Sequence, residues 1–220
     1  MSDTQGETGL KFFGAVTASI SHEMKNRMAI INEQAGLLED LVRMAGQGRE
    51  LDHERLLRLA DSVKSQISMA DEIIKRMNRF AHLPDVFWQT SDLCDLVSLA
   101  AGLSKRMADT NGVRLEIRVP ETAVKVTTSP FLVLNLIWLC LDRVVGSSHK
   151  EQVVLLGCEK TPDGASLWVS ADAVAEVPME TFIPEETKKL AANLKADFIL
   201  NSEAKRLTIK IPAHAGPVMT

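Results

Sequence analysis

Two long stretches of helical periodicity, separated by a glycine turn, constrain this 220-residue chain more than any other feature. In the first stretch, apolar side chains recur at Phe13, Val16, Ile20, Met24, Met28, Ile31, Ala35, Leu38 and Val42. Steps of three and four residues describe one face of an amphipathic helix. Gly46-Gln47-Gly48 ends it, and Asp52 is placed to cap a second helix, because a carboxylate there accepts the free N–H groups of a first turn. The second stripe runs Leu56, Leu59, Val63, Ile67, Ala70, Ile74, Met77 and Ala81, and Pro84 stops it. Two such helices joined by a short loop fold as an antiparallel hairpin over residues 9–83. A lone hairpin has little interior, so a homodimer through residues 9–83, forming a four-helix bundle, is expected. Packing of the hairpin on the rest of its own chain is the alternative.

The period changes after Pro84. Residues 91–109 read as a shorter helix, and Val113–Val119 alternates with period two as a half-buried strand does. Val124–Thr127 reads as a further strand. Residues 130–145 form an apolar helix capped by Ser129. Val153–Glu159 and Ser166–Ser170 flank Pro162-Asp163-Gly164 as a hairpin. A helix over about 184–195 and strands at Phe198–Leu200 and Leu207–Ile211 complete an α+β layer over residues 91–212.

Bulk properties narrow the function classes. A net charge of −4 without a block of one sign does not suit a nucleic-acid partner. No apolar run is read as long enough to span a bilayer, and the polar start, Met1–Glu7, does not read as a secretory signal. No membrane association is expected, and the cytoplasm is the expected compartment. Cys94, Cys140 and Cys158 are far apart in sequence and read as buried thiols, fitting neither a disulfide framework nor a zinc site.

The chemistry concentrates in Ile20-Ser21-His22-Glu23-Met24-Lys25-Asn26-Arg27-Met28. At 100° per residue, His22 points away from the apolar stripe and into water, with Asn26 one turn later on the same face and Lys25 close beside it. Ala15, Ala18 and Ala29 flank the histidine. They leave room for another protein to approach, although alanine is also simply a good helix former. A neutral imidazole is a nucleophile, and a nearby carboxylate such as Glu23 can hold one ring nitrogen protonated while the other attacks. Phosphoryl transfer then asks mainly for positioning and charge neutralisation. Lys25 and Arg27 are candidates for contacting phosphate or an acidic partner, and Asn26 is placed to orient a water. No second ligand stands at i+4 from His22, so a metal site is not expected there.

Ser21-His22-Glu23-Met24-Lys25-Asn26 resembles the H-box of bacterial sensor histidine kinases nearly residue for residue. Ile67–Phe80 resembles the partner helix of the same dimerisation and phosphotransfer domain, and residues 91–212 resemble the kinase ATPase domain in element order. The resemblance implies that His22 is the phosphoacceptor, that Glu23 assists the imidazole, and that Asn26 is the residue linked to phosphatase activity. Arg27 stands where the family usually has a kinking proline, so a straighter helix is expected.

The ATP motifs do not follow. Aligning Leu132–Trp138 with the family's first nucleotide motif puts Leu139 at the magnesium-ligand position, and leucine has no oxygen to offer. Asp172 is retained from the next motif, but no glycine occurs from 165 to 215 to bring backbone amides close to phosphates. The segment from the Trp168 strand through Phe182 to Pro184 is too short for the family's ATP lid. The chain thus looks like a bacterial histidine phosphotransferase with a degenerate ATPase domain. It is expected to move phosphoryl groups between aspartates of response-regulator receiver domains through His22, with no cofactor of its own and Mg²⁺ on the receiver. Ala15, Ala18, Lys25, Arg27, Ala29, Gln66 and Met69 are the expected docking residues. A phosphatase of a response regulator, and a non-catalytic dimeric adaptor or inhibitor, are the other two readings.

Overall fold

The computed structural model describes residues 3–176, 178 and 183–216, with side chains from residue 6 onward and that of residue 176 excepted. The fold is α+β. A long helical hairpin, α1 (Asp3–Gly46) and α2 (His53–Ala81), precedes β1 (Gln89–Asp92), α3 (Leu93–Asn111), β2 (Arg114–Arg118), β3 (Lys125–Thr128) and α4 (Pro130–Ser147). Then come β4 (Val153–Thr161), β5 (Gly164–Ser170), the short α5 (Ala173–Glu176), α6 (Glu185–Asn193), β6 (Asp197–Asn201) and β7 (Arg206–Pro212).

The hairpin turn is built as its residues dictate. Gly48 takes a left-handed φ of 86°, and the amides of Gly48 and Arg49 return to the carbonyls of Ala45 and Met44. These two bonds close the last turn of α1 in a Schellman arrangement, which needs a residue without a Cβ penalty at that position. Asp52 then caps α2: its Oδ1 accepts the Arg55 N–H at 3.0 Å. Helix α1 runs unbroken through Arg27.

The chain divides into two compact units, Thr17–Arg79 and Met1–Val16 with Phe80–Thr220. The division falls inside both long helices, whereas the sequence placed the domain edges at 83 and 91. Aromatic packing explains why the helix ends belong with the sheet. Phe12 and Phe80 are each 1% exposed, with ring centroids 5.4 Å apart and edge to face. Phe131 and Trp138 of α4 lie 5.7 and 5.4 Å from Phe12, so these rings form one cluster.

In the second unit, five strands pair in the order β2-β4-β5-β7-β6, and β1 pairs separately with β3. Among the described strands only the β2–β4 pair is parallel, with α4 supplying the crossover that parallel strands require. Register aligns one apolar face: Leu156 opposes Val169, Cys158 opposes Leu167, and Leu167 opposes Ile209. Helices α3 and α4 cover the sheet, and Val97, Leu134, Leu136 and Leu141 are fully buried. On the opposite face Trp168 lies across Gly157, where a Cβ would come within 2.3 Å of both the indole and the Arg118 carbonyl. Only glycine fits there.

One expectation needs correction. Helix α4, with 18 residues and mean hydropathy 1.5, has the length and composition of a membrane span. The sequence contained such a run after all. In this fold α4 is the central helix of the sheet unit, with 61% of its residues buried, which accounts for its apolar composition.

Candidate functional site

In the unit Thr17–Arg79, the seam between α1 and α2 follows the apolar stripe read from the sequence only in part. Ile20, Leu59, Ala70 and Ile73 are its buried apolar residues. Polar groups fill much of the remainder. Arg27 donates to Oε1 of the half-buried Gln66 at 3.0 Å, and Glu23 pairs with Arg76 at 3.9 Å, their side chains 21% and 27% exposed. The seam is rotated by less than one residue step, about 100°, from the predicted stripe. Met28 (53% exposed), Leu38, Val42, Ile67 (55%), Ile74 and Met77 consequently remain at the surface.

His22 is exposed, as the helical phase required. Its Nδ1 lies 3.3 Å from Nδ2 of Asn26 one turn on, while Nε2 has no partner among the described residues. The contact bears on chemistry through the tautomer. An Asn26 N–H pointing at Nδ1 leaves the hydrogen on Nε2. Turning the amide so that Oδ1 faces the ring lets Nδ1–H donate and frees the Nε2 lone pair. Asn26 is thus in contact with the ring, whereas Glu23 is paired across the hairpin with Arg76.

Ala18, Lys25 and Ala29 are exposed on α1, and Met69 is 43% exposed on α2. Ala15 is exposed too, on the part of α1 that groups with the sheet unit. Arg27 and Gln66 depart from the expectation. They face each other inside the hairpin, and Arg27 Nε is buried without a protein partner. Their hydrogen bond links the two helices. Glu23 and Arg76 make a second link. Neither pair was visible in the sequence, where polar residues at seam positions read as surface.

In the sheet unit, two of the residues aligned with the family's ATP motifs can be placed. Leu139 is half-buried on α4. Asp172 is exposed, and its Oδ1 is bound by Lys205 Nζ at 2.6 Å, so this carboxylate is already engaged. Residues 177 and 179–182, which include Phe182 and part of the expected lid position, lie outside the described residues.

No protein-family model and no curated protein sequence matches this chain. Its fold does match solved structures. A histidine kinase from Burkholderia phymatum superposes with a TM-score of 0.51 at 12% identity, over 92% of this chain and 98% of that one. The histidine kinase AdeS of Acinetobacter baumannii gives 0.50 at 14% identity, over 87% and 98%. The catalytic domain of histidine kinase ThkA gives 0.50 at 9% identity, over 59% of this chain and 99% of that one. At such identities the likeness is one of fold: a helical hairpin followed by a mixed sheet with helices, as the H-box resemblance implied.

Proposed function

We propose that this chain is a histidine phosphotransfer protein of a two-component phosphorelay, which accepts a phosphoryl group on His22 from a receiver aspartate and passes it to another. The observation that carries this reading is the exposed His22 imidazole, with Nδ1 against Asn26 and Nε2 free, on a hairpin of histidine-kinase fold. In the transfer, the Nε2 lone pair attacks phosphorus while the bond to the aspartyl oxygen breaks and leaves a carboxylate. In the structure Nδ2 of Asn26 faces the ring; with that amide turned over, its Oδ1 accepts from Nδ1–H and holds the ring in the attacking tautomer. The reverse sequence loads the second receiver. Mg²⁺ is assigned to the receiver, and no step is routed through ATP on this chain, since Leu139 stands at the aligned magnesium-ligand position and offers no oxygen.

Ala18, Lys25, Ala29 and Met69 form the proposed docking surface. The exposed apolar residues Met28, Leu38, Val42, Ile67, Ile74 and Met77 support a homodimer through residues 9–83, since a second copy offers the same face in return.

The experiment mixes the protein with a panel of phosphorylated receivers, beside an incubation with ATP alone. Label should reach the wild type but not His22→Ala, and ATP alone should leave both unlabelled. Autophosphorylation by ATP would overturn the relay reading.

The Asn26 contact also favours a second reading, a response-regulator phosphatase in which the amide orients the attacking water. Asn26→Ala would then abolish receiver dephosphorylation while His22→Ala leaves much of it. A silent Asn26→Ala rejects that alternative. A non-catalytic adaptor or inhibitor predicts receiver or kinase binding with His22 never labelled.

A further inference from the structure

The two cysteines that the sequence set far apart meet in the fold. Cys94 Sγ lies 3.6 Å from Cys158 Sγ, although 64 positions separate them. Cys94 sits in the first turn of α3, and that turn is held in place from two sides. Asp92 caps the helix, its Oδ1 accepting the Cys94 N–H at 3.0 Å and the Val124 N–H at 3.1 Å. Cys158 is on β4, on the apolar face of the sheet, and is 3% exposed. Cys94 is half-buried, so it is the member of the pair that a small molecule reaches. Cys140 is fully buried within α4, and its thiol is pushed up to about 12 by that burial.

We infer that Cys94 and Cys158 form an oxidant-driven, reversible disulfide site that ties the first turn of α3 to strand β4. The sulfurs are at contact distance. A bonded pair sits at about 2.0 Å, so closure asks for about 1.5 Å of approach. The roles divide by environment. Burial, then the neighbouring Cys94 and the charges of Asp92 and Glu159, drives the Cys158 thiol upward, so it stays protonated and does not start the reaction. The oxidant proposed is a small uncharged hydroperoxide. Cys94 sulfur attacks the peroxide O–O bond, giving a sulfenic acid and one water. Cys158 sulfur then displaces the sulfenic oxygen, which leaves with the Cys158 proton as a second water. Two thiol sulfurs lose two electrons in total, and one hydrogen peroxide gains them.

The test treats the reduced full-length protein with hydrogen peroxide, blocks remaining thiols by alkylation, and maps the digest by mass spectrometry before and after dithiothreitol. A single intramolecular Cys94–Cys158 cross-link is expected, with Cys140 unmodified, complete reversal by the reductant, and a higher melting temperature for the oxidised form, since the link restrains the unfolded chain. In Cys158→Ser a sulfenic acid should accumulate on Cys94, where a dimedone probe captures it, and in Cys94→Ser position 158 should stay reduced at the same dose. A wild type in which Cys94 proceeds to sulfinic acid or links to a second molecule, without the internal bond, would overturn the inference. So would oxidation of Cys158 in Cys94→Ser.

Discussion

The two units of this chain use apolar residues in opposite ways. The sheet unit closes on itself: Leu134, Leu136, Leu141, Val154 and Leu156 are all 0–1% exposed, and α3 and α4 cover the aligned face of the strands. The hairpin unit buries only Ile20, Leu59, Ala70 and Ile73 as apolar core, braces its seam with Arg27–Gln66 and Glu23–Arg76, and leaves a row of Met, Leu, Ile and Val side chains at the surface. That outward apolar row is what the proposed homodimer would cover. A polar seam has a further consequence, because charged and hydrogen-bonded pairs define a register but contribute little net stability. The hairpin is thus expected to be the weaker and more partner-dependent of the two.

Substitutions sharpen that contrast. Leu141→Ala removes a fully buried side chain from α4 and should cost about 4 kcal/mol of unfolding free energy in a denaturant titration. Gly157→Ala forces a methyl group into Trp168 and the Arg118 carbonyl, for a loss of about 3 kcal/mol. Ile74→Asp, on the exposed face of α2, should leave the sheet unit folded but weaken self-association by about 100-fold in sedimentation, since it buries an unpaired charge at the proposed dimer face. If Ile74→Asp instead leaves association unchanged, the outward apolar row is not the dimer interface. Asp52→Ala removes one helix cap and should cost about 1 kcal/mol. His22→Ala, at an exposed site, should change stability by less than about 0.5 kcal/mol, which separates its functional effect from any folding defect.

How much was legible beforehand follows the same division. Local signals were read correctly at Gly48 and Asp52 of the hairpin turn and in the β4–β5 hairpin around Pro162-Asp163; the strand at Arg114–Arg118 was found too, but its apolar residues do not alternate inward, since Ile117 is 42% exposed. Strand β1 was missed. Gln89-Thr90-Ser91-Asp92 has no apolar alternation, and it becomes a strand only by pairing with Lys125–Thr128. The parallel β2–β4 pairing and the Cys94–Cys158 encounter depend on chain crossovers that no local period encodes. The helical stripe was found but misassigned in part, because periodicity marks where apolar residues lie without saying which partner covers them. At the site, helical phase alone placed His22 outward with Asn26 beside it. It did not distinguish Lys25, which remains free at the surface, from Arg27, which turns into the seam.

The most direct measurement locates the phosphate. The protein is incubated with a phosphorylated receiver and digested under alkaline conditions, and the modified residue is identified by fragmentation mass spectrometry. A single phosphorylated peptide carrying base-stable, acid-labile phosphate on His22, and none in His22→Ala, is the predicted result. A wild type that binds the receiver yet never carries phosphate on His22, or one that carries it on another residue, would contradict the account.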